Sequence, residues 1–342
     1  MDWTRLPLSR AAVDRAAHRR GPAVLESAWL RPDTQVLLVV GGLLATRSDG
    51  DAVRLDLRSP ASLPGLGPAV RDGELPTPDP TSGAGRLVLF LGEDPRGAAF
   101  LALVVDDVAA LAPSGLDLVD ADSLDPSWGE EARTTGPQWS NLRDVGHLLS
   151  DRDAGLAATA VGLAAWHERH PRCARCGAPT VPDQAGWTRR CTLDGSDHYP
   201  RTDPAVIMAV LDDDDRLLLG HAAHWPERRF STLAGYVEPG ESAESAVRRE
   251  VREEVGVRIG DMVYRGSQPW PFPASLMLAF VARATSTELT VDGVEVTAAR
   301  WFTRGELAAD VRTGEVLLPM RTSVARVLIE EWFGGPLGRP PG

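Results

Sequence analysis

Lysine is absent from this sequence of 342 residues, and each of its 36 basic side chains is an arginine. Enzymes that form a Schiff base through lysine are therefore excluded, and so are nucleotide-binding P-loops, which contact phosphate through a lysine. Cysteine is scarce, and three cysteines fit a reducing compartment better than a disulfide framework. No apolar run reaches transmembrane length, and no charged segment followed by an apolar one marks an N-terminal signal. We therefore expect a cytoplasmic protein that does not enter a membrane.

The charge balance is acidic, with 36 basic against 48 acidic residues and a formal net charge of −12. A surface of this sign argues against binding to duplex DNA. The length suits two or three domains, and an apolar content of 43% is enough for real cores.

One segment, residues 235–257 (GYVEPGESAESAVRREVREEVGV), organises the chain. Its first half has a Pro-Gly pair at Pro239 and Gly240, which predicts a loop. Ser242 is suited to be a helix N-cap. The helix should then continue to about Val255 and end at Gly256.

Three glutamates of this predicted helix, Glu250, Glu253 and Glu254, stand at positions i, i+3 and i+4. They share one helix face, where like charges destabilise the helix by a few tenths of a kcal/mol per pair, roughly. A divalent cation offsets that repulsion, and Mg²⁺ and Mn²⁺ prefer carboxylate oxygens. The alternative, a solvated acidic face, does not account for the fixed offsets of the glycines, the first glutamate and the Arg-Glu pair.

These offsets resemble the Nudix box, G-x5-E-x7-R-E-U-x-E-E-x-G-U with U aliphatic, at every position. The resemblance implies an α/β/α sandwich. It also implies metal-dependent hydrolysis of a nucleoside diphosphate that is linked to another group.

The N-terminal part, residues 1–140, carries no catalytic motif. Apolar runs at Gln35–Val40, Arg86–Leu91 and Phe100–Val105 predict buried strands, with loops at residues 59–67 and 74–85. We therefore expect a β-rich domain. Residues 141–170 read as connecting helices, which Gly155 could break in two.

Residues 171–202 form a cysteine-containing insert. Cys173, Cys176 and Cys191 have zinc-ribbon spacing, but Asp194 stands where a fourth cysteine is expected. Either Asp194 or His198 could complete a structural zinc site, and a ribbon without metal is the alternative. Nearby His167 and His170 read as structural histidines rather than ligands.

The region 203–335 contains the box and is expected to be the catalytic domain. Strands are predicted at Ala205–Leu211 and Arg216–Leu219, joined by an acidic turn that we expect to be solvated. After the box, residues 267–275 (SQPWPFPAS) are expected to form a proline-stiffened loop with aromatic faces, suited to stack a flat ring. Helices are predicted after Thr303 and at Val324–Phe333.

The segments HYPRTDPAVI at residues 198–207 and SQPWPFPAS resemble the NADH pyrophosphatase (NAD⁺ diphosphatase) family, which also has a ribbon before the box. The resemblance thus implies an α+β fold class, with a C-terminal Nudix fold and a central zinc ribbon after the β-rich N-terminal domain. The resemblance implies catalysis by Glu254, Glu253 and Glu250. It implies Mg²⁺ or Mn²⁺ ligands from the carbonyl of Ala234 and from Glu250, Glu253, Glu254 and Glu295.

The resemblance also implies a homodimer in which Tyr199 reaches the substrate of the other subunit. The other expected substrate contacts are Tyr236, Gln268, Pro269, Trp270, Pro271, Phe272, Pro273, Ala274, Ser275, Arg143 and Ala325.

The expected reaction converts NAD(H) and water into NMN(H) and AMP. The sequence leaves open removal of the NAD cap from the 5′ end of RNA, by the same bond cleavage, and a broader dinucleotide or ADP-ribose diphosphatase. A non-catalytic nucleotide sensor and a ribbon-mediated interaction protein are further alternatives, although the carboxylates of the box are all present.

Overall fold

A computed structural model of the chain describes residues 2–21, 23–50, 52–68, 86–114 and 138–338. The chain forms two compact units: one comprises residues 1–9, 202–270 and 275–342, and the other residues 10–201 and 271–274. The loop expected at residues 74–85 lies outside the described residues. No helix in the described ranges is both long enough and apolar enough to cross a membrane.

The unit formed mainly by residues 10–201 contains a mixed sheet, as its apolar runs predict. In its order β3-β2-β1-β6-β5, β1 and β6 are parallel, whereas β4 pairs with β1 and β7 with β2. A short helix, α1 (Val24–Trp29), contributes to the same core. The strands are β1 (Gln35–Val40), β2 (Leu43–Asp49), β3 (Ala52–Leu55), β4 (Leu57–Arg58), β5 (Leu87–Glu93), β6 (Ala99–Val105) and β7 (Gln138–Ser140).

The connecting helices are α2 (Leu142–Val145) and α3 (Asp151–Arg169). The expected break at Gly155 is wrong, because Gly155 lies inside α3. The break between the two helices falls earlier, between Val145 at the end of α2 and Ser150, the N-cap of α3. A Cβ at Gly155 would lie 2.8 Å from the carbonyl oxygen of Arg10. The glycine therefore permits a close backbone approach and does not end a helix.

The ribbon follows α3 as three antiparallel strands, β8 (Thr180–Asp183), β9 (Thr188–Cys191) and β10 (Asp197–His198).

His167 of α3 is buried between the carbonyl of Gly186 and the guanidinium of Arg189, at 2.8 Å from each. Burial lowers the pKa of His167 to about 4. The histidine is therefore neutral and structural, as predicted.

The other unit contains the sheet β14-β15-β11-β12-β16, with β13 beside β11 and with β11 and β15 parallel. Its elements are β11 (Asp203–Leu211), β12 (Leu217–Ala222), β13 (Leu233–Tyr236), α4 (Ala243–Val255), β14 (Ile259–Trp270), β15 (Ser275–Ala284), β16 (Val296–Phe302), α5 (Arg304–Thr313) and α6 (Val324–Phe333).

Strand β11 shows how this unit is layered, because its side chains alternate between two cores. Val206, Met208 and Val210 pack in the core that includes α4, whereas Ile207 and Ala209 pack in the core that includes α5 and α6. Helices thus cover both faces of the sheet, and the expected α/β/α sandwich is confirmed.

Two local expectations in this unit need correction. The acidic turn after β11 is not fully solvated: Asp212 is 1% exposed and binds the backbone N–H and guanidinium of Arg216. Residues 267–275 are not a loop throughout, because β14 continues to Trp270 and β15 begins at Ser275. Only residues 271–274 form the turn between the two strands.

Candidate active site

Helix α4 positions the carboxylates. The hydroxyl of Ser242 accepts the N–H of Ser245 at the N-terminus, and Gly256 ends the helix with φ +75°. Apolar residues of α4 pack on the sheet, which fixes the rotation of the helix about its axis. Glu250 and Glu254 are consequently buried, whereas the side chain of Glu253 is 60% exposed.

The three glutamates line one side of a cavity of about 540 Å³, which we call the carboxylate cavity. Strand β13 brings Ala234 to the cavity, and the start of β16 brings Glu295 there. The predicted metal-binding residues therefore converge on one space. The rest of its lining includes Tyr236, Ser275, Met277 and Asp292.

Arg249 organises the mouth of this cavity. Its guanidinium binds both carboxylate oxygens of Glu241 at 2.9 Å, Glu250 at 2.8 Å and Glu253 at 3.0 Å. It also donates to the carbonyl of Tyr236. These partners raise the pKa of Arg249, the bond to Glu241 most of all. Arg249 thus links the loop that carries Glu241 to helix α4.

Glu254 is the unusual group in the cavity. Its side chain is 7% exposed, and its Oε2 has no hydrogen-bond partner in the described part of the chain. Burial raises the pKa of Glu254 to about 8, and the charges of Glu250, Glu295 and Asp292 add to the effect. A buried carboxyl among other carboxylates is suited to meet a cation.

Gly235 explains why the box begins with glycine. A Cβ at this position would collide with the carboxylate of Glu250. Strand β13 therefore lies directly against the carboxylates of α4, and no larger residue fits there without moving Glu250.

The donor set fits Mg²⁺ or Mn²⁺ because it consists of hard carboxylate and carbonyl oxygens, one of them buried and unpartnered. Two of these carboxylates, Glu250 and Glu253, are paired with the guanidinium of Arg249.

The predicted substrate residues fall into two groups. Tyr236 is 55% exposed at the cavity, and its hydroxyl lies 3.3 Å from that of Ser275. By contrast, Gln268 is fully buried and donates to the carbonyl of Thr322, and Ala325 is buried in the core below α6. In this structure the last two support the sheet and are not open to a ligand.

In the other unit, Tyr199 is 65% exposed. The guanidinium of Arg143 lies 4.5 Å from the ring centroid of Phe272, in a cation–π contact. The predicted roles of Tyr199 and Arg143 toward a substrate stay predictions.

The ribbon forms a second candidate metal site. Ligand atoms of Cys173, Cys176, Cys191 and Asp194 all lie within 4.8 Å of one another. Of the two candidates for the fourth ligand, the geometry favours Asp194, because among the described residues its carboxylate belongs to this cluster of ligand atoms and His198 does not. The ring of His198 lies 3.3 Å from the hydroxyl of Ser196. Hydrogen bonds from that hydroxyl and from the backbone of Ser196 hold the pKa of Asp194 well below its usual range. Three sulfurs and one carboxylate oxygen suit Zn²⁺.

Two features of the site were not predicted from the sequence. The carboxylate of Asp292 accepts the N–H groups of Val294, Glu295 and Val296, and so fixes the turn that presents Glu295. The Asp-Gly pair at residues 292–293 could have indicated this turn. A second cavity, of about 370 Å³, adjoins the glutamates on the side of Trp225. No sequence motif indicated it.

Three known domain families match successive segments of the chain. Residues 201–320 match the NUDIX domain, and the resemblance of the box is confirmed. Residues 168–199 match the NADH pyrophosphatase zinc ribbon domain, and residues 34–166 match the NADH pyrophosphatase-like rudimentary NUDIX domain. The chain thus contains three matched segments in succession: a rudimentary NUDIX-like domain and a zinc ribbon of the NADH pyrophosphatase type, followed by a NUDIX domain.

Curated relatives include the NAD-capped RNA hydrolase NudC of Mycobacterium bovis, 45% identical over 201 residues, which are 56% of this chain and 64% of the relative. The human NAD-capped RNA hydrolase NUDT12 is 41% identical over 197 residues, 54% of this chain and 43% of the relative. The chain thus spans less than two thirds of the length of these relatives. A solved NUDIX hydrolase from Nitrosomonas europaea is 19% identical, with a TM-score of 0.36 over 49% of this chain and 96% of that chain.

Proposed function

We propose that the protein hydrolyses the diphosphate of NAD(H), giving NMN(H) and AMP. The observation that carries the proposal is the carboxylate cavity, in which Glu250, Glu253, Glu254 and Glu295 converge beside an exposed aromatic ring, Tyr236. The NADH pyrophosphatase domain types found in the chain support the same substrate.

The carboxylates of Glu250, Glu253, Glu254 and Glu295, with the carbonyl of Ala234, would hold Mg²⁺ or Mn²⁺. Such a cation neutralises the diphosphate and polarises phosphorus toward attack. Arg249 keeps the loop and helix together and is not itself a substrate contact, because its donors are committed to protein oxygens.

The reaction is a hydrolysis, and its atoms balance without a co-reactant. The oxygen of water forms a bond to one phosphorus, while the bond from that phosphorus to the bridging oxygen breaks. The proton of the water passes to a glutamate carboxylate, and a mononucleotide leaves with the bridging oxygen. We assign this role to Glu254 or Glu253, whose carboxylates both line the cavity.

Substrate rings would stack on aromatic faces near the cavity. Tyr236 offers an exposed ring at the cavity wall, and Ser275 a hydroxyl next to it. Independently of the cavity, we propose the turn of residues 271–274 and Trp270 as further substrate contacts, as the family resemblance implies. We further propose that Tyr199 acts across a homodimer and that Arg143 contacts phosphate.

A second candidate substrate is RNA that carries NAD at its 5′ end. It is favoured by the relatives, since those from Mycobacterium bovis and human are both named NAD-capped RNA hydrolases. The bond cleaved would be the same. A broader activity on dinucleotides or ADP-ribose would use the same carboxylates.

We also propose a structural Zn²⁺ in the ribbon, held by Cys173, Cys176, Cys191 and Asp194. The proposed domain boundaries are 1–140, 141–170, 171–202 and 203–335, and the proposed compartment is the cytoplasm.

The experiment is a ranking of kcat/KM for NADH, NAD⁺, ADP-ribose and NAD-capped RNA, with Mg²⁺ and with Mn²⁺. We expect NAD(H) or NAD-capped RNA to rank first. Binding of these nucleotides without any turnover would contradict the proposal and favour a non-catalytic sensor.

A further inference from the structure

The glutamates of the site border two cavities. Besides the carboxylate cavity, the cavity of about 370 Å³ contains Ala234, Glu254 and Glu295 in its wall. We call it the Trp225 cavity. Ala234, Glu254 and Glu295 line both spaces, so the two cavities meet at the proposed reaction centre.

The far wall of the Trp225 cavity comes from the segment between β12 and β13. His224 and Trp225 contribute two aromatic rings, with centroids 5.9 Å apart in an edge-to-face arrangement. Trp225 is half-buried, and the guanidinium of Arg229 lies 5.2 Å from the centroid of its ring. An aromatic ring fixed in this way can stack a flat heterocycle.

The floor of the cavity contains an unsatisfied polar group. Thr232 is 4% exposed and lines the cavity, and its hydroxyl has no hydrogen-bond partner within the described ranges. Buried hydroxyls in folded proteins nearly always have a partner, so this one requires an explanation. A polar group of a bound ligand supplies one.

The chemistry of the substrate requires two sites. A dinucleotide has one ring-bearing nucleotide on each side of its diphosphate. When the diphosphate lies at the glutamates, the two halves extend in different directions. The carboxylate cavity, with Tyr236, can hold one half, and the other half needs a second space that also opens at the glutamates.

We propose that the Trp225 cavity is a second nucleotide subsite, which holds the half of the dinucleotide opposite to that held at Tyr236. Trp225 stacks the ring of this half, and the hydroxyl of Thr232 hydrogen-bonds one of its polar groups. The inference rests on the proposed function for the identity of the ligand, but its test does not require turnover.

The test is direct calorimetric titration of AMP and of NMN, each with Mg²⁺, into the full chain. The variants are Trp225→Ala, Trp225→Phe, Thr232→Val and Tyr236→Ala. The matched control is Tyr264→Ala, because Tyr264 is 53% exposed and lines neither cavity.

We expect Trp225→Ala to weaken one mononucleotide at least about fivefold and the other less than about twofold, since the loss of one stacked base is of this size. Thr232→Val should weaken the same mononucleotide, and Tyr236→Ala the other one. Trp225→Phe should restore most of the affinity, and Tyr264→Ala should change neither.

The subsite is refuted if Trp225→Ala leaves both affinities unchanged, lowers both equally, or weakens the same mononucleotide as Tyr236→Ala. It is also refuted if the wild type binds neither mononucleotide. Cleavage of NADH by the wild-type protein is measured separately, and its failure would refute the proposed function. The affinities for AMP and NMN would still show whether the Trp225 cavity binds a nucleotide.

Discussion

At the scale of single residues, the site depends on the contrast between Glu253 and Glu254. They are neighbours in the sequence, yet the side chain of Glu253 is 60% exposed whereas Glu254 is 7% exposed with an unpartnered oxygen. The helix places them on different sides of the packing boundary, so one carboxylate is solvated and the other is not. The difference gives each a separate experimental signature.

Glu254→Gln should lower kcat for NADH at least about 100-fold while the fold is retained, because the amide keeps the shape but loses both the charge and the basicity. Steady-state kinetics and circular dichroism provide the two measurements. A variant that keeps more than half of the wild-type kcat would contradict the assignment of Glu254.

The buried carboxyl of Glu254 also predicts a pH dependence of stability without added Mg²⁺ or Mn²⁺. Its pKa is raised from 4.5 to about 8 in the folded state, so the folded chain binds more protons than the unfolded chain between these values. The contribution of Glu254 to the free energy of unfolding is therefore fully present below pH 4.5. It is lost as the pH rises toward 8, at a rate of at most about 1.4 kcal/mol per pH unit.

Thermal melts from pH 5 to 8 measure this effect. Glu254→Gln should flatten the decline in Tm, and added Mg²⁺ should reduce it. Glu253→Gln is the matched control and should leave the slope unchanged, since its side chain is mostly exposed. An equal slope for wild type and Glu254→Gln would show that Glu254 is not the titrating group.

At the scale of elements, α4 and β13 form the site together. Gly235→Ala should place a methyl group against the carboxylate of Glu250. We expect a fall in kcat/KM of about tenfold or more, since small misplacements of reacting groups are costly. Gly305→Ala in α5 is the control, because a Cβ there meets nothing within 4 Å. Equal activity of both variants would refute the close approach of β13 to the glutamates.

The ribbon is the second element that can be tested. We expect one zinc per chain by mass spectrometry of protein purified without chelator. Asp194→Ala should lose the metal, Asp194→Cys should hold it more tightly because thiolate suits Zn²⁺ better, and His198→Ala should retain it. Loss of zinc only from His198→Ala would reverse the choice of fourth ligand.

The sequence predicted the helix of the box from its N-cap to its terminal glycine, because Ser242 and Gly256 act locally. It did not predict the role of Gly155, since the close approach of Arg10 joins residues far apart in the chain. The burial of Gln268 escaped prediction for the same reason: its partner is the distant carbonyl of Thr322. Spacing identified the glutamates, but which of them is buried follows only from packing.

At the scale of the whole molecule, three matched domain types succeed one another, and the carboxylates proposed for catalysis lie in the last of them. The rudimentary NUDIX domain at residues 34–166 has no box, as its lack of a catalytic motif in the sequence predicts. The proposed metal ligands, and with them the hydrolysis step, should therefore belong to the last domain type.

The measurement that tests the proposed function most directly is the identification of products by mass spectrometry after NADH is incubated with the protein and Mg²⁺ in water enriched in ¹⁸O. We expect equimolar NMNH and AMP, with one ¹⁸O atom in the phosphate of one of these two products. In the incubation with Glu254→Gln, we expect no ¹⁸O-labelled product. Nicotinamide-containing products that retain the diphosphate, or unchanged NADH, would contradict the account.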